Sequence, residues 1–127
     1  MKRTELPFSL AKKPRTFNQK VYDIVRQIPC GKVLSYGNIA RLTGSFRASR
    51  AVGYAVAALN APPLPYHRVV YKDGALSPAF MEKGKNRQYT LLKKEGVTFT
   101  QGKRVCMKKH EWNANGIAVT LFEKYGL

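Results

Sequence analysis

Pro62, Pro63 and Pro65 stand within four residues of one another, and they constrain this chain more than any other feature. A proline fixes its own φ, has no amide hydrogen and drives the residue before it out of the helical region. No helix therefore passes through Ala61-Pro62-Pro63-Leu64-Pro65. The segment is a loop that presents Tyr66 and His67. It divides the chain into a helix-patterned part up to Asn60 and a second part that starts extended.

Ahead of the prolines, Thr16-Phe17-Asn18-Gln19 reads as a capping box, and Phe17, Val21, Ile24, Val25 and Ile28 recur at helical spacing. This predicts a helix ending near Pro29. Gly31 allows a turn, and Val33-Leu34 suits a short strand. Ser35 can cap a second helix through Ile39, Ala40 and Leu42, with Gly44 as its stop. A third helix is expected from Ser45 to Leu59, packing Val52, Val56 and Leu59 against the first. Two short helices around a glycine turn make a helix-turn-helix. Arg47 and Arg50 come early in its second member, among Ala48, Ala51, Gly53 and other small residues that let a helix approach a groove or a phosphate backbone closely.

Beyond the loop, Val69-Val70-Tyr71 reads as a strand turning at Lys72-Asp73-Gly74, a hairpin signal. Lys83 to Glu95 is expected as a fourth helix, with Tyr89, Leu91 and Leu92 inward and Gly96 as its stop. Val97-Thr98-Phe99 and Arg104-Val105-Cys106-Met107 are strand candidates around Gln101-Gly102-Lys103. The fold class is mostly α with short β hairpins. Residues 1–15, with five basic residues and two prolines, read as a flexible basic arm. Residues 16–112 form one domain, and 113–127 are a C-terminal extension.

Charge narrows the partner. The 127 residues carry 23 Lys and Arg against 7 Asp and Glu, a net charge of +16 that solubility alone does not require. A polyanion is the natural partner, nucleic acid before an anionic membrane. The longest apolar run, Ala51 to Leu59, is far short of the ~20 residues a membrane-spanning helix needs, and no apolar core follows the basic start as it would in a signal peptide. Cys30 and Cys106 show no CxxC spacing, and His67 and His110 are the only histidines. No metal site, cofactor or disulfide framework is expected. The cysteines read as small buried apolar residues in a reducing, cytoplasmic setting.

Four segments stand in a telling order: Phe17-Asn18-Gln19-Lys20-Val21, Gly31-Lys32-Val33-Leu34-Ser35-Tyr36, Arg50-Ala51-Val52-Gly53 and Pro65-Tyr66-His67-Arg68-Val69-Val70. From Phe17 to about Gly96 the chain resembles the DNA-binding half of the O6-alkylguanine-DNA alkyltransferases. In particular it resembles their alkyltransferase-like subgroup, which replaces the acceptor cysteine. The resemblance implies a winged helix-turn-helix-like domain. It places Tyr66 at the cysteine position, where a phenol of pKa about 10 is a poor nucleophile at neutral pH.

Chemistry on O6 of guanine cannot occur inside the stacked duplex, so the family extrudes the nucleotide into a pocket. The resemblance makes Arg50 the finger that fills the vacated stack and Tyr36 the residue that steers the adjacent phosphate. Ser35 is then a helix cap and phosphate donor, with Arg47, Ala48 and Gly53 on the same DNA-facing side. The implied lesion pocket comprises Tyr36, Val56, Asn60, Pro65, Tyr66, His67 and Val69, closed by the stretch Tyr71 to Met81, where Ser77-Pro78-Ala79-Phe80-Met81 departs from the family pattern. His67 and Glu95 match the pair that activates the missing thiol, so His67, Arg68 and Glu95 are read as wall and scaffold.

The function expected from this is a non-enzymatic sensor that flips O6-alkylguanine in double-stranded DNA and flags it for nucleotide excision repair proteins. It would act as a cytoplasmic monomer, nucleoid-associated when bound. A helix-turn-helix regulator with a vestigial pocket is the alternative. An active alkyltransferase using Tyr66, Cys30 or Cys106 is the least favoured.

Overall fold

The computed structural model describes residues 16–45, 47–82 and 85–114; the basic arm and nearly all of the C-terminal extension lie outside the described residues. Helix α1, Phe17–Gln27, starts with the expected capping box. Thr16 Oγ1 accepts from the Gln19 amide at 3.1 Å, and Gln19 Oε1 accepts from the Thr16 amide at 3.0 Å. Strand β1, Leu34–Ser35, runs directly into α2, Tyr36–Leu42, because Ser35 Oγ accepts from the Asn38 amide and starts the helix at once. Gly44, at φ +90°, ends it in the left-handed conformation that glycine adopts without penalty.

Helix α3 spans Ser49–Ala57, shorter than the 45–59 expected. Ala48 supplies no side-chain cap, and its amide bonds back to the Ser45 carbonyl, so the chain has not yet entered the helix there. At the other end Ala58 is already extended, ahead of the prolines. Leu59 therefore projects fully into solvent instead of packing on α1. Val52 alone of the expected stripe is fully buried.

Tyr66–Arg68 form one 3-10 turn leading into β2, Val69–Val70. The expected turn closes with two backbone bonds, Gly74 N to Tyr71 O and Tyr71 N to Ala75 O, but no second strand continues it; β2 instead pairs in parallel with β1, in the register Leu34↔Val69 and Ser35↔Val70, and Gly74 O accepts from Val105. After a second 3-10 turn at Pro78–Phe80 comes a short antiparallel hairpin, β3 Met81–Glu82 and β4 Lys85–Asn86. Asn86 caps α4, Arg87–Lys94, by accepting from the Tyr89 amide, so of the expected helix 83–95 Lys85 and Asn86 belong to the hairpin, while Lys83 and Gly84 lie outside the described residues. A second hairpin joins β5, Phe99–Thr100, to β6, Arg104–Val105. Cys106 and Met107 leave the predicted strand, and α5, Met107–His110, follows it.

Two apolar clusters result, divided by the parallel strand pair. Leu34 and Val69, partners in register, face α1, α2 and α3 with Val21, Ile24, Ile28, Ile39 and Val52. Their chain neighbours Val33 and Val70 face the other way, onto Leu92, Val97 and Val105. Alternation along a strand explains why two pairs of neighbouring apolar side chains serve two cores. The segment after α5 closes the fold. The Val33 amide donates to His110 O at 2.9 Å, the Trp112 amide donates to Val33 O at 2.8 Å, and Asn38 holds Glu111. No helix among the described residues is long and apolar enough to cross a membrane.

Candidate nucleic-acid interface

A cavity of about 740 Å³ opens between α3 and the segments on either side of β2. Helix α3 contributes Ser49, Arg50, Gly53, Tyr54, Val56 and Ala57; Tyr36, Tyr66, Tyr71, Ser77 and Phe80 complete the lining. Arg50 and Tyr54 are exposed and lie one helical turn apart. The small residues between them leave the helix face open.

Tyr36 is buried at the start of α2, with its ring centroid 5.3 Å from that of Tyr71. Burial raises its phenol pKa, a hydrogen bond with Ser77 works against that rise, and the neighbouring Tyr71 adds to it. Tyr66 sits in the turn after the proline loop. Its hydroxyl donates to Pro62 O at 2.5 Å, and its ring meets Tyr22 edge to face at 6.4 Å. Tyr22 in turn donates to Ala55 O on α3, at 2.8 Å. Burial and then Tyr22 raise the Tyr66 phenol above its ordinary value, with Arg26 opposing. The residue at the acceptor position is thus an aromatic wall with its oxygen engaged, moved further from an ionised nucleophile.

Behind this wall, Arg68 grips Glu95 through Nε at 3.0 Å and Nη2 at 2.7 Å, and its Nη1 donates to Ile28 O. His67 Nε2 lies 2.7 Å from the same carboxylate. Burial alone would raise the Glu95 pKa, but the hydrogen bonds from Arg68 and His67 outweigh it and hold the group at about 2. The hydrogen bond to Glu95 raises Arg68 in return. Gln88, fully buried, ties the loop from beneath: its Nε2 donates to His67 O and Val69 O at 3.0 and 2.7 Å, and its Oε1 accepts from the Ser77 amide at 2.9 Å.

Among the sequence-predicted pocket residues the structure brings Tyr36, Val56 and Tyr66 to the cavity. Asn60, Pro65, His67 and Val69 are not among its lining residues. Asn60 is exposed in the turn after α3, His67 is turned to Glu95, and Val69 is spent on the helical core. Of the residues predicted to face DNA, Arg50 and Gly53 line the cavity and Arg47 is exposed nearby in the chain, while Ala48 is half-buried. Ser35 is buried, its oxygen committed to Asn38. Cys30, expected to be buried, is exposed and lies against Arg68. Sequence reasoning missed Ser49, Tyr54 and Ala57 on the cavity wall and Gln88 behind it. Tyr54 could have been found from its i+4 spacing to Arg50; Gln88, a polar side chain on the inward face of α4, carried no such signal. No group of three or more metal-ligating side chains occurs among the described residues.

Comparison with known proteins agrees with this geometry. Residues 16–97 match the family described as 6-O-methylguanine DNA methyltransferase, DNA binding domain. The chain is 37% identical over 102 residues to the DNA base-flipping protein of Escherichia coli K12, covering 80% of this chain and 78% of that one. It is 42% identical over 86 residues to Alkyltransferase-like protein 1 of Schizosaccharomyces pombe, covering 67% and 80%. The crystal structure of S. pombe Atl1 in complex with damaged DNA containing O6-carboxymethylguanine superposes with a TM-score of 0.67 at 36% identity, over 76% of this chain and 94% of that one. In sequence and in fold, then, this chain belongs to the 6-O-methylguanine DNA methyltransferase family through its DNA-binding domain.

Proposed function

We propose that this protein is a non-enzymatic DNA-damage recognition protein. It binds duplex DNA with α2 and α3, extrudes an O6-alkylated guanine into the cavity and retains it there for nucleotide excision repair proteins. The observation that carries the reading is Tyr66. It stands in the acceptor position as a pinned aromatic wall, with its hydroxyl engaged by Pro62 and its phenol pKa raised. Such a wall offers stacking to a base or an alkyl group and no activated nucleophile to accept the alkyl group.

Arg50, exposed at the cavity mouth, fills the gap in the duplex; its flat, permanently charged guanidinium stacks and hydrogen-bonds in the space a base has left. Tyr36 steers the phosphate beside the extruded nucleotide. Arg68 and Glu95 keep the loop behind Tyr66 in place. The setting is cytoplasmic and the acting species a monomer.

The test is equilibrium binding to matched duplexes carrying guanine or O6-methylguanine at several salt concentrations, with intact protein mass measured afterwards. The damaged duplex should bind more tightly at every salt, and the protein mass should not change. Tyr66→Gly should shrink the damaged-to-undamaged ratio while leaving the salt slope on undamaged DNA as it was. A stoichiometric gain of one methyl group would overturn the non-enzymatic reading. A wild-type ratio of one at all salts would leave a helix-turn-helix binder with a vestigial pocket.

A further inference from the structure

A second hollow, of about 590 Å³, lies between β4, α4 and the β5–β6 turn. Lys85, Lys103 and Arg104 line it, and Tyr89 supplies an aromatic wall. Phe99 backs that ring, with centroids 4.6 Å apart. The ammonium groups of Lys103 and Lys93 stand 5.2 and 5.5 Å from the Tyr89 centroid. Two like charges beside one ring repel each other, and the ring's quadrupole offsets only part of that. The one described carboxylate paired at the hollow is Asp73, 3.4 Å from Arg104 in a half-exposed contact. Among the described side chains, four cations thus stand against one paired carboxylate.

The turn that carries Lys103 adds an independent observation. Lys103 is at φ +58°, the single non-glycine residue with positive φ among the described residues, and it follows Gly102 at φ +86°. A glycine at 103 would adopt this conformation freely, whereas a lysine there is strained. Strain held at one point of a surface is characteristic of binding sites. Here it places an ammonium over Tyr89.

The geometry points to this hollow as a clamp for the sugar-phosphate backbone of the DNA whose extruded nucleotide occupies the first cavity. The proposal rests on the DNA reading above. Nucleic acid is favoured over an acidic protein because the two hollows share a wall. Tyr71 and Ser77 face the lesion cavity, Ala75 and Leu76 face the basic one, and Gln88 fixes the Ser77 end of that wall. One short segment thus separates them, a small distance beside the ~34 Å of a duplex turn. Phosphates neutralised here would add affinity without reading the lesion.

The experiment compares two triple variants of the full chain. One is Lys85→Gln, Lys93→Gln, Lys103→Gly, in which the last change also relieves the turn. The other is Lys20→Gln, Lys108→Gln, Lys109→Gln, which removes the same charge outside the hollow. Affinity for undamaged and O6-methylguanine duplexes is measured against salt, and phosphate contacts are mapped by ethylation interference. The hollow variant should lower the slope of log K against log salt by about 2 to 3 on both duplexes, from about 0.9 per phosphate. Its discrimination ratio should be unchanged, and it should lose interference at phosphates that the other variant keeps. Equal slopes and equal interference maps for the two variants would overturn the clamp. So would an unchanged DNA slope together with lost binding to a polyglutamate peptide, which would assign the hollow to an acidic protein. Because the clamp is read on undamaged duplex, a wild type that binds DNA without lesion preference defeats the pocket reading and leaves the clamp measurable.

Discussion

Replacing Gln88 by leucine isolates the buried amide that ties three pieces of chain together. The side chain is fully buried, and leucine fills a similar volume but neither donates nor accepts. The substitution orphans Val69 O and the Ser77 amide, both in buried hydrogen bonds, and His67 O in a part-buried one. A buried group left unsatisfied costs about 1–3 kcal/mol, and the part-buried carbonyl less because water reaches it. Leucine recovers some of this, since no polar side chain is then desolvated on folding. The net loss should be about 3 kcal/mol. With a urea m-value of about 1.5 kcal/mol/M, that is a fall in midpoint of about 2 M at unchanged m. Gln88→Glu sharpens the test. At neutral pH its carboxylate still accepts from Ser77 but faces two carbonyl oxygens, so it should be at least as damaging as leucine. On acidification the protonated carboxyl regains one donor, and its deficit relative to wild type should narrow. A Gln88→Leu loss below about 1 kcal/mol would refute the view that this amide holds the loop.

Arg50→Ala should weaken binding to damaged duplex by about 1–3 kcal/mol, as for other base-stacking or bidentate contacts, and more than Lys20→Gln does in the same titration. Glu95 is held at about 2 in the folded protein against 4.5 for the free group. Its contribution to stability is therefore present above pH 4.5 and lost as pH falls toward 2. Unfolding titrations over that window should show the loss in wild type and a flatter profile in Glu95→Gln. Gly74 has φ +87°, and a Cβ there would lie 2.4 Å from Val105 O, so Gly74→Ala should lower stability by about 2–4 kcal/mol in the same urea assay.

Local signals were the legible ones. The Thr16 box, the Ser35 cap and the Gly44 stop lie within four residues of what they organise, and each is found where the sequence puts it. What depended on distant partners was not legible. Val69-Val70 looks the same whether it folds back on Tyr71 or pairs with Leu34-Ser35 more than thirty residues earlier, and the second won because both faces of that strand meet a core. Lys85 and Asn86 fell inside the expected helix, but Asn86 is its cap and both pair with Met81-Glu82 as a strand, a partner no local signal announces. At the site, motif order brought Tyr36, Arg50 and Tyr66 to one cavity. The motif also paired His67 with Glu95, and the two lie 2.7 Å apart; held by that carboxylate, His67 is not among the cavity's lining residues, and neither is Asn60, which is exposed in the turn after α3.

The bridge between Val33 and the segment His110–Trp112 bears on how the chain is made. Its partners are nearly eighty residues apart, and it supplies both backbone hydrogen bonds of a completely buried valine. During synthesis the helical core through Val69 can assemble early from local contacts. Val33 then waits, its amide and carbonyl unmatched, until residue 112 clears the ribosome tunnel, some forty residues after Val69. Released chains truncated after residue 97, the end of the family match, should accordingly be protease-sensitive at β1, and those that extend past residue 112 resistant.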